Sequence, residues 1–457
     1  MIQEELDNKL ITLIDREPQF DEPPFVEKMR NLYESCMDTD RLETLGNEPI
    51  LDVIRKLGGW PVLGDSSGWT RERQHSFDWL DLQIKFRQMG LFDRVLFGFS
   101  VKLDIKDIKR TILQLSQASI QLSSNDLSEG LNDPLVAAYY ELIVDSAVML
   151  GANRREAEQQ MLDALNFEAN LLYILSTTKR AGLKDLYNKM TMGQLSNLAP
   201  NIDWNRYLAS VLDEPLGSDE EITVLAPDFI AQLDKLLVAI DSVTLANYMM
   251  WRMVLSTVHF LGHSWRERIH AYNSKITGQP RERPRSEQCF GQLKGYLDTA
   301  LSSMYAKNYF KADSKQRTME MVDDIRHELI TILDEVDWMD EGTRREAKAK
   351  ANAIGKHIGY PDELLNDTII EQFYSGLELE RGKYYDNVLH IQKWFYSQSF
   401  KRLHEPNLRA DWRNHARAAT VNAQYQPQDN SIELPAGILQ GVCYDKDRPN
   451  YLNFGAI

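Results

Sequence analysis

The stretch "VNAQYQPQDNSIELPAG", Val421–Gly437, decides how the rest of the chain is read. Ala419 to Tyr425 is β-prone, "QPQDN" supplies turn residues, and Ser431 to Leu434 returns, so the segment predicts a hairpin. Elsewhere apolar residues recur at spacings of three and four: Val26, Met29, Tyr33 and Cys36 mark one helical face, and Val322, Ile325, Leu329 and Ile332 another. The expected fold class is mainly α, with a small β-hairpin or edge strand near the C-terminus. Such an edge has a physical use. Its unpaired N–H and C=O groups can take an extended peptide as an added strand, and the Asn422 amide offers that peptide both a donor and an acceptor.

Local signals place the helices and the breaks. Asp340 predicts an N-cap for an Ala/Lys/Arg-rich helix running to the Gly359 and Pro361 stop, and Pro227 opens another helix. Surface loops are expected at 16–25, 123–134 and 278–288, where Pro, Gly, Ser and Asn cluster. No fixed-period repeat is present, which argues against a solenoid.

Composition excludes several classes. A chain of 457 residues with 43% hydrophobic content can bury a large core. Its formal charge of −16 repels phosphate backbones, so no nucleic-acid partner is expected. The longest apolar stretch, Leu236 to His263, is interrupted by Asp241 and Arg252 and is no membrane span. The opening "MIQEELDNKL" has neither the basic nor the apolar region of a signal peptide. Three cysteines, Cys36, Cys289 and Cys443, favour reduced thiols by count alone.

Two histidine motifs invite a metal and fail on inspection. His259, His263 and His270 fall within about 40° of one another on an ideal helix. That set lacks the Glu of a hydrolytic H-E-x-x-H motif, and Gly262 weakens the helix between them. A half-exposed helical face is expected instead. In "HELIT", Thr331 stands where a second ligand would be needed after His327, and Leu329 with Ile332 is expected to face a core. No metal ligand is therefore assigned in this chain. Acidic clusters such as "DEVDWMDE" are expected to be solvated caps and helix faces.

"VNAQYQPQDNSIELPAGILQ", followed by "PNYLNFGAI", resembles the neprilysin-like zinc endopeptidases, whose pattern is V-N-A-x-Y, a turn, a return strand, P-A-G-I-L-Q and N-[YF]-G-x-I. Upstream, "LYESCMD", "NEPILDVIRKLGGWP", "LYNKMTMGQL", "VLAPDFIAQL" and "VDWMDEGTRREAKAKANAIGKHIGYPDEL" follow in family order. The resemblance implies two mostly helical lobes around a cavity that admits short peptides. It implies a mostly helical peptidase domain over 1–400 and the start of a truncated catalytic domain over 415–457. In the family the zinc helix follows N-[YF]-G-x-I directly, and a membrane anchor lies upstream. The complete enzyme would bind zinc, which polarises the scissile carbonyl while a Glu takes the water's proton. This chain would supply the cap and the substrate-binding strand and be inactive alone. The alternative is a non-catalytic peptide-binding module on the same fold.

Residue roles carry over one by one. Asn422 and Ala423 match the Asn-Ala pair that holds the peptide backbone. Ile438 matches a wall of the pocket for a bulky apolar side chain, and Cys443 stands where a Phe often lines that pocket. Gln424 replaces an aromatic, and Gln3 lies roughly where an Arg contacts the substrate's C-terminal carboxylate. Cys36 and Cys289 match two cysteines that pair with each other, so the count-based reading gives way to a disulfide. Its loop gives a ceiling of roughly 5 kcal/mol in the chain-entropy treatment. That bridge implies an extracellular or secreted protein, and the sequon at Asn366 becomes a glycan site.

Overall fold

The computed structural model describes residues 2–18, 20–123, 130–177, 187–212, 215–406 and 411–457. The breaks expected at 16–25 and 123–134 therefore lie partly outside the described residues. The chain forms two compact units, one of Met1–Tyr33, Arg285–Gly376 and Asn407–Ile457, the other of Glu34–Pro284 and Leu377–Pro406.

The second unit is built on long helices, among them Pro134–Met149, Arg154–Thr177, Pro227–Ala239 and Ser242–Thr257. Ser242–Thr257 is buried almost all round, and most of its interior polar side chains find partners. Arg252 reaches Glu168 at 3.3 Å, and the same carboxylate accepts from the Tyr139 hydroxyl at 2.9 Å and from Gln121 N at 2.8 Å. A buried charge persists only with such partners.

This unit also contains a sheet that the helical reading missed. Strands β1 (Phe97–Asp104), β2 (Asp107–Gln117), β3 (Asn188–Thr191) and β4 (Glu221–Val224) run in the order β1-β2-β4-β3, with β2 and β4 parallel and the other pairs antiparallel. Period-two alternation was present in "FGFSVKLD", and Phe97 and Phe99 are buried against Trp204 and Tyr207.

The first unit places its strands late. Asp340 caps Glu341–Asn352 by accepting from Thr343 N at 2.9 Å, as expected, but the helix ends there. Residues Gly355–Gly359 form β5 instead, their backbone pairing with the return strand rather than within a further helical turn. Strands β6 (Gln424–Gln426) and β7 (Ser431–Pro435) complete a sheet ordered β5-β7-β6, with β5 parallel and β6 antiparallel to β7. Leu434 and Ile358 pack with Val322, Leu439 and Tyr444 in one buried cluster.

Two expectations about helices need correction. Leu329 and Ile332 do not face a core: they are 41% and 47% exposed on Ala312–Glu335, as is Ile325 at 48%. Periodicity identifies an apolar face but not what covers it. His259 does not share a helix face with His263 and His270, since it lies in the one-turn Val258–Phe260, whereas those two sit seven residues apart on the helix His263–Thr277 that begins after Gly262. Among the described residues no helix is long and apolar enough to cross a membrane.

Candidate peptide-binding site

The hairpin is built around β7. Its register sets Gln424 opposite Glu433 and His357 opposite the same Glu433, so these three side chains share one face. Tyr425, Ile432 and Lys356 share the other. Strand β6 pairs with β7 on one side only and is, among the described residues, the more exposed of the sheet's two edge strands, β5 being the other.

The ladder is shorter than the predicted strand, and the reason lies in where the backbone donors go. Ala419 N donates to Ser302 Oγ at 3.1 Å, Val421 N donates to Gln3 Oε1 at 3.0 Å, and Ala418 O accepts from Gly437 N at 2.8 Å. Side chains and one loop contact thus replace strand pairing up to Val421. Gln3 is itself oriented, because its Nε2 donates to Asp7 Oδ1 at 2.7 Å. Asn422, Ala423, Gln424 and Tyr425 follow, all exposed. Asn422 Oδ1 accepts from Ala423 N at 2.8 Å, so the acceptor half of that amide is engaged and the Nδ2 donors are the half left over. The turn closes at Asn430, whose φ of +47° suits Asn and whose Oδ1 accepts from the Tyr425 hydroxyl at 2.9 Å.

Beyond β7, Ile438 lies in the one-turn Ala436–Ile438 and packs, half-buried, on the Leu434 and Leu439 cluster. Cys443 is a half-buried free thiol whose carbonyl accepts from Arg448 Nη2 at 2.9 Å. Cys36 and Cys289 are both disulfide-bonded. Asn366 is exposed and caps Asp367–Phe373. Its Oδ1 accepts from Thr368 N at 3.0 Å, which leaves Nδ2, the atom a glycan would occupy, outside the cap.

The shared face of the sheet holds a polar group that the motifs did not reveal. Gln424 Nε2 donates to Glu433 Oε2 at 2.6 Å, and His415 Nδ1 lies 3.9 Å from the same oxygen. The His415 ring stacks on His357 at 3.3 Å between centroids and 11° between planes. Burial works against the Glu433 charge, yet the neighbouring His415 and Gln424 hold its carboxyl below the ordinary value. Burial, then the proximity of His415, pushes His357 below its ordinary value. A cavity of about 300 Å³ adjoins these residues, with Trp412, Tyr360 and Pro435 in its wall. No sequence signal marks the group, because its members lie on four separated segments.

Residues 1–361 match Peptidase family M13 in its N-terminal part. The chain belongs to that family. It is 37% identical to Neprilysin-2 of Drosophila melanogaster over all of its own length and 60% of the relative. It is 30% identical to an endothelin-converting enzyme homolog of Locusta migratoria, over 94% of this chain and 60% of that one. The chain thus spans about 60% of the length of these relatives. Its fold is similar to that of the zinc metalloprotease Zmp1 of Mycobacterium tuberculosis in its open state, at a TM-score of 0.82 and 21% identity, over 100% of this chain and 67% of that one. PepO from Lactobacillus rhamnosis gives a TM-score of 0.79 at 20% identity, over 100% and 68%.

The described residues do not fit the family's zinc. Among those described, no group of three His, Cys, Asp or Glu side chains could hold a metal ion. His357, His415 and Glu433 are no exception: two rings stacked nearly in parallel direct their lone pairs along parallel planes rather than toward one point.

Proposed function

We propose that this chain supplies the cap and the substrate-binding strand of a zinc-dependent endopeptidase acting on short peptides. The observation that supports the reading is the exposed run Asn422–Tyr425 entering an edge strand that is paired on one side only. A peptide laid along β6 extends the β5-β7-β6 sheet, with Asn422 and Ala423 holding its backbone and Ile438 and Cys443 meeting an apolar side chain. Zinc and the groups that activate water belong to the further length that the relatives have. The full protein is assigned to the extracellular face of the plasma membrane or to secretion, with Cys36 and Cys289 bonded and Asn366 glycosylated.

A peptide-binding module without catalysis is the second reading, and it rests on the same exposed strand edge. Both readings require binding at β6. Ala423→Pro removes the N–H that orients the Asn422 amide and constrains the backbone at the entry to β6, and is expected to weaken binding of a labelled short peptide at least tenfold by fluorescence anisotropy. Unchanged affinity would refute both. Binding without cleavage in added zinc is expected for this chain; sustained, chelator-sensitive cleavage by the purified chain would contradict the assignment of the zinc groups elsewhere.

A further inference from the structure

Resting on the strand-edge reading, we propose that Gln424 is a specificity-determining residue that selects a lysine or arginine side chain in the bound peptide. The argument begins with Glu433. An ionised carboxylate can only accept hydrogen bonds, so the Gln424 amide must turn its Nε2 toward Glu433 Oε2, 2.6 Å away. Its Oε1 is then the atom presented by an exposed residue of the edge strand. Without Glu433 the amide could present either end; with it, the edge presents an acceptor.

Glu433 is itself held in place. It is 4% exposed, sits in the central strand β7, and lies between Gln424 and His357 in register. The stacked His357 and His415 rings close the far side. The amide's orientation is therefore fixed by groups away from the peptide. A peptide residue whose side chain falls on this face meets a fixed acceptor with a carboxylate behind it, an arrangement complementary to a cationic donor. Its sequence neighbours fall on the opposite face, where Tyr425, 43% exposed, offers an aromatic surface. The preferred ligand is a short extended peptide with one basic residue flanked by apolar ones.

The test uses the 457-residue chain and fluorescein-labelled hexapeptides that differ only in lysine or norleucine, scanned through each position. At one position lysine is expected to bind roughly tenfold more tightly, the scale of one charged hydrogen bond. Gln424→Leu, at an exposed site, should bring that ratio to about one. Glu433→Gln, whose amide no longer dictates the orientation of Gln424, should lower it too, with circular dichroism confirming that each variant is folded. Peptides that bind without lysine preference, or a preference that survives Gln424→Leu, would overturn this inference alone. Failure of every peptide to bind would overturn the strand-edge reading and this inference with it.

Discussion

Gly437 has no room for a side chain. A Cβ there would lie 2.5 Å from Thr420 O and 2.7 Å from Thr420 C, backbone atoms two residues before Asn422. The glycine of P-A-G-I-L-Q thus permits the approach that sets the segment leading into β6. Gly437→Ala is expected to lower stability by roughly 1–3 kcal/mol in denaturant unfolding and to weaken peptide binding with it. Two other residues contribute to the response to acid. His259 is driven down to about 4 by burial, so the folded chain keeps it neutral while the unfolded chain protonates near the ordinary 6.5. Its contribution is full above that value and is lost as pH falls toward about 4. Asp104, 1% exposed, is opposed by burial but receives Tyr187 at 2.8 Å, Lys106 N at 3.0 Å and Arg110 at 3.1 Å, and falls to about 2. Its contribution is present above the ordinary 3.8 and is lost as pH falls through about 2. Relative to the unsubstituted chain, the melting temperature of His259→Leu should therefore change its pH dependence between about 6.5 and 4, and that of Asp104→Asn between about 3.8 and 2.

Strands and helices differ in how much of them the sequence reveals. The helical faces were legible because one apolar stripe repeats over many turns; Val26, Met29, Tyr33 and Cys36 are all buried on Pro24–Met37. The β1–β2 hairpin was harder to see because its apolar alternation is short and its burial does not follow a strict period of two. Strand β5 is five residues long and bounded by glycines, so its pairing with β7 rather than its own composition makes it a strand. The Asn422–Tyr425 edge was legible from its β-prone run and turn. The Gln424, Glu433, His415 and His357 group was not, since only the three-strand register and a loop bring it together. Ala312–Glu335 shows the limit of periodicity, with Ile325, Leu329 and Ile332 exposed along one face. Replacing these three with Glu or Lys is expected to reduce self-association in sedimentation velocity without lowering the melting temperature. A large loss of stability would place them in a core instead. Asn366→Ala should cost about 1 kcal/mol through the lost cap, whereas Asn366→Asp keeps the cap and abolishes the glycan mass shift of secreted protein.

Across the whole molecule, the division of labour proposed above rests on family membership and local geometry together. The chain spans about 60% of the curated relatives it matches, and among its described residues no group can hold a metal ion. What it offers is the exposed one of the sheet's two edges, β5 at the other edge being buried or half-buried. The central claim is that a peptide binds there as an added strand. Hydrogen exchange of the chain with and without a saturating short peptide tests this most directly, read at the amides of 422–426. The account predicts slowed exchange in that segment, and loss of the effect in Ala423→Pro. Saturable peptide binding with no protection at 422–426, or with protection confined to another part of the chain, would contradict it.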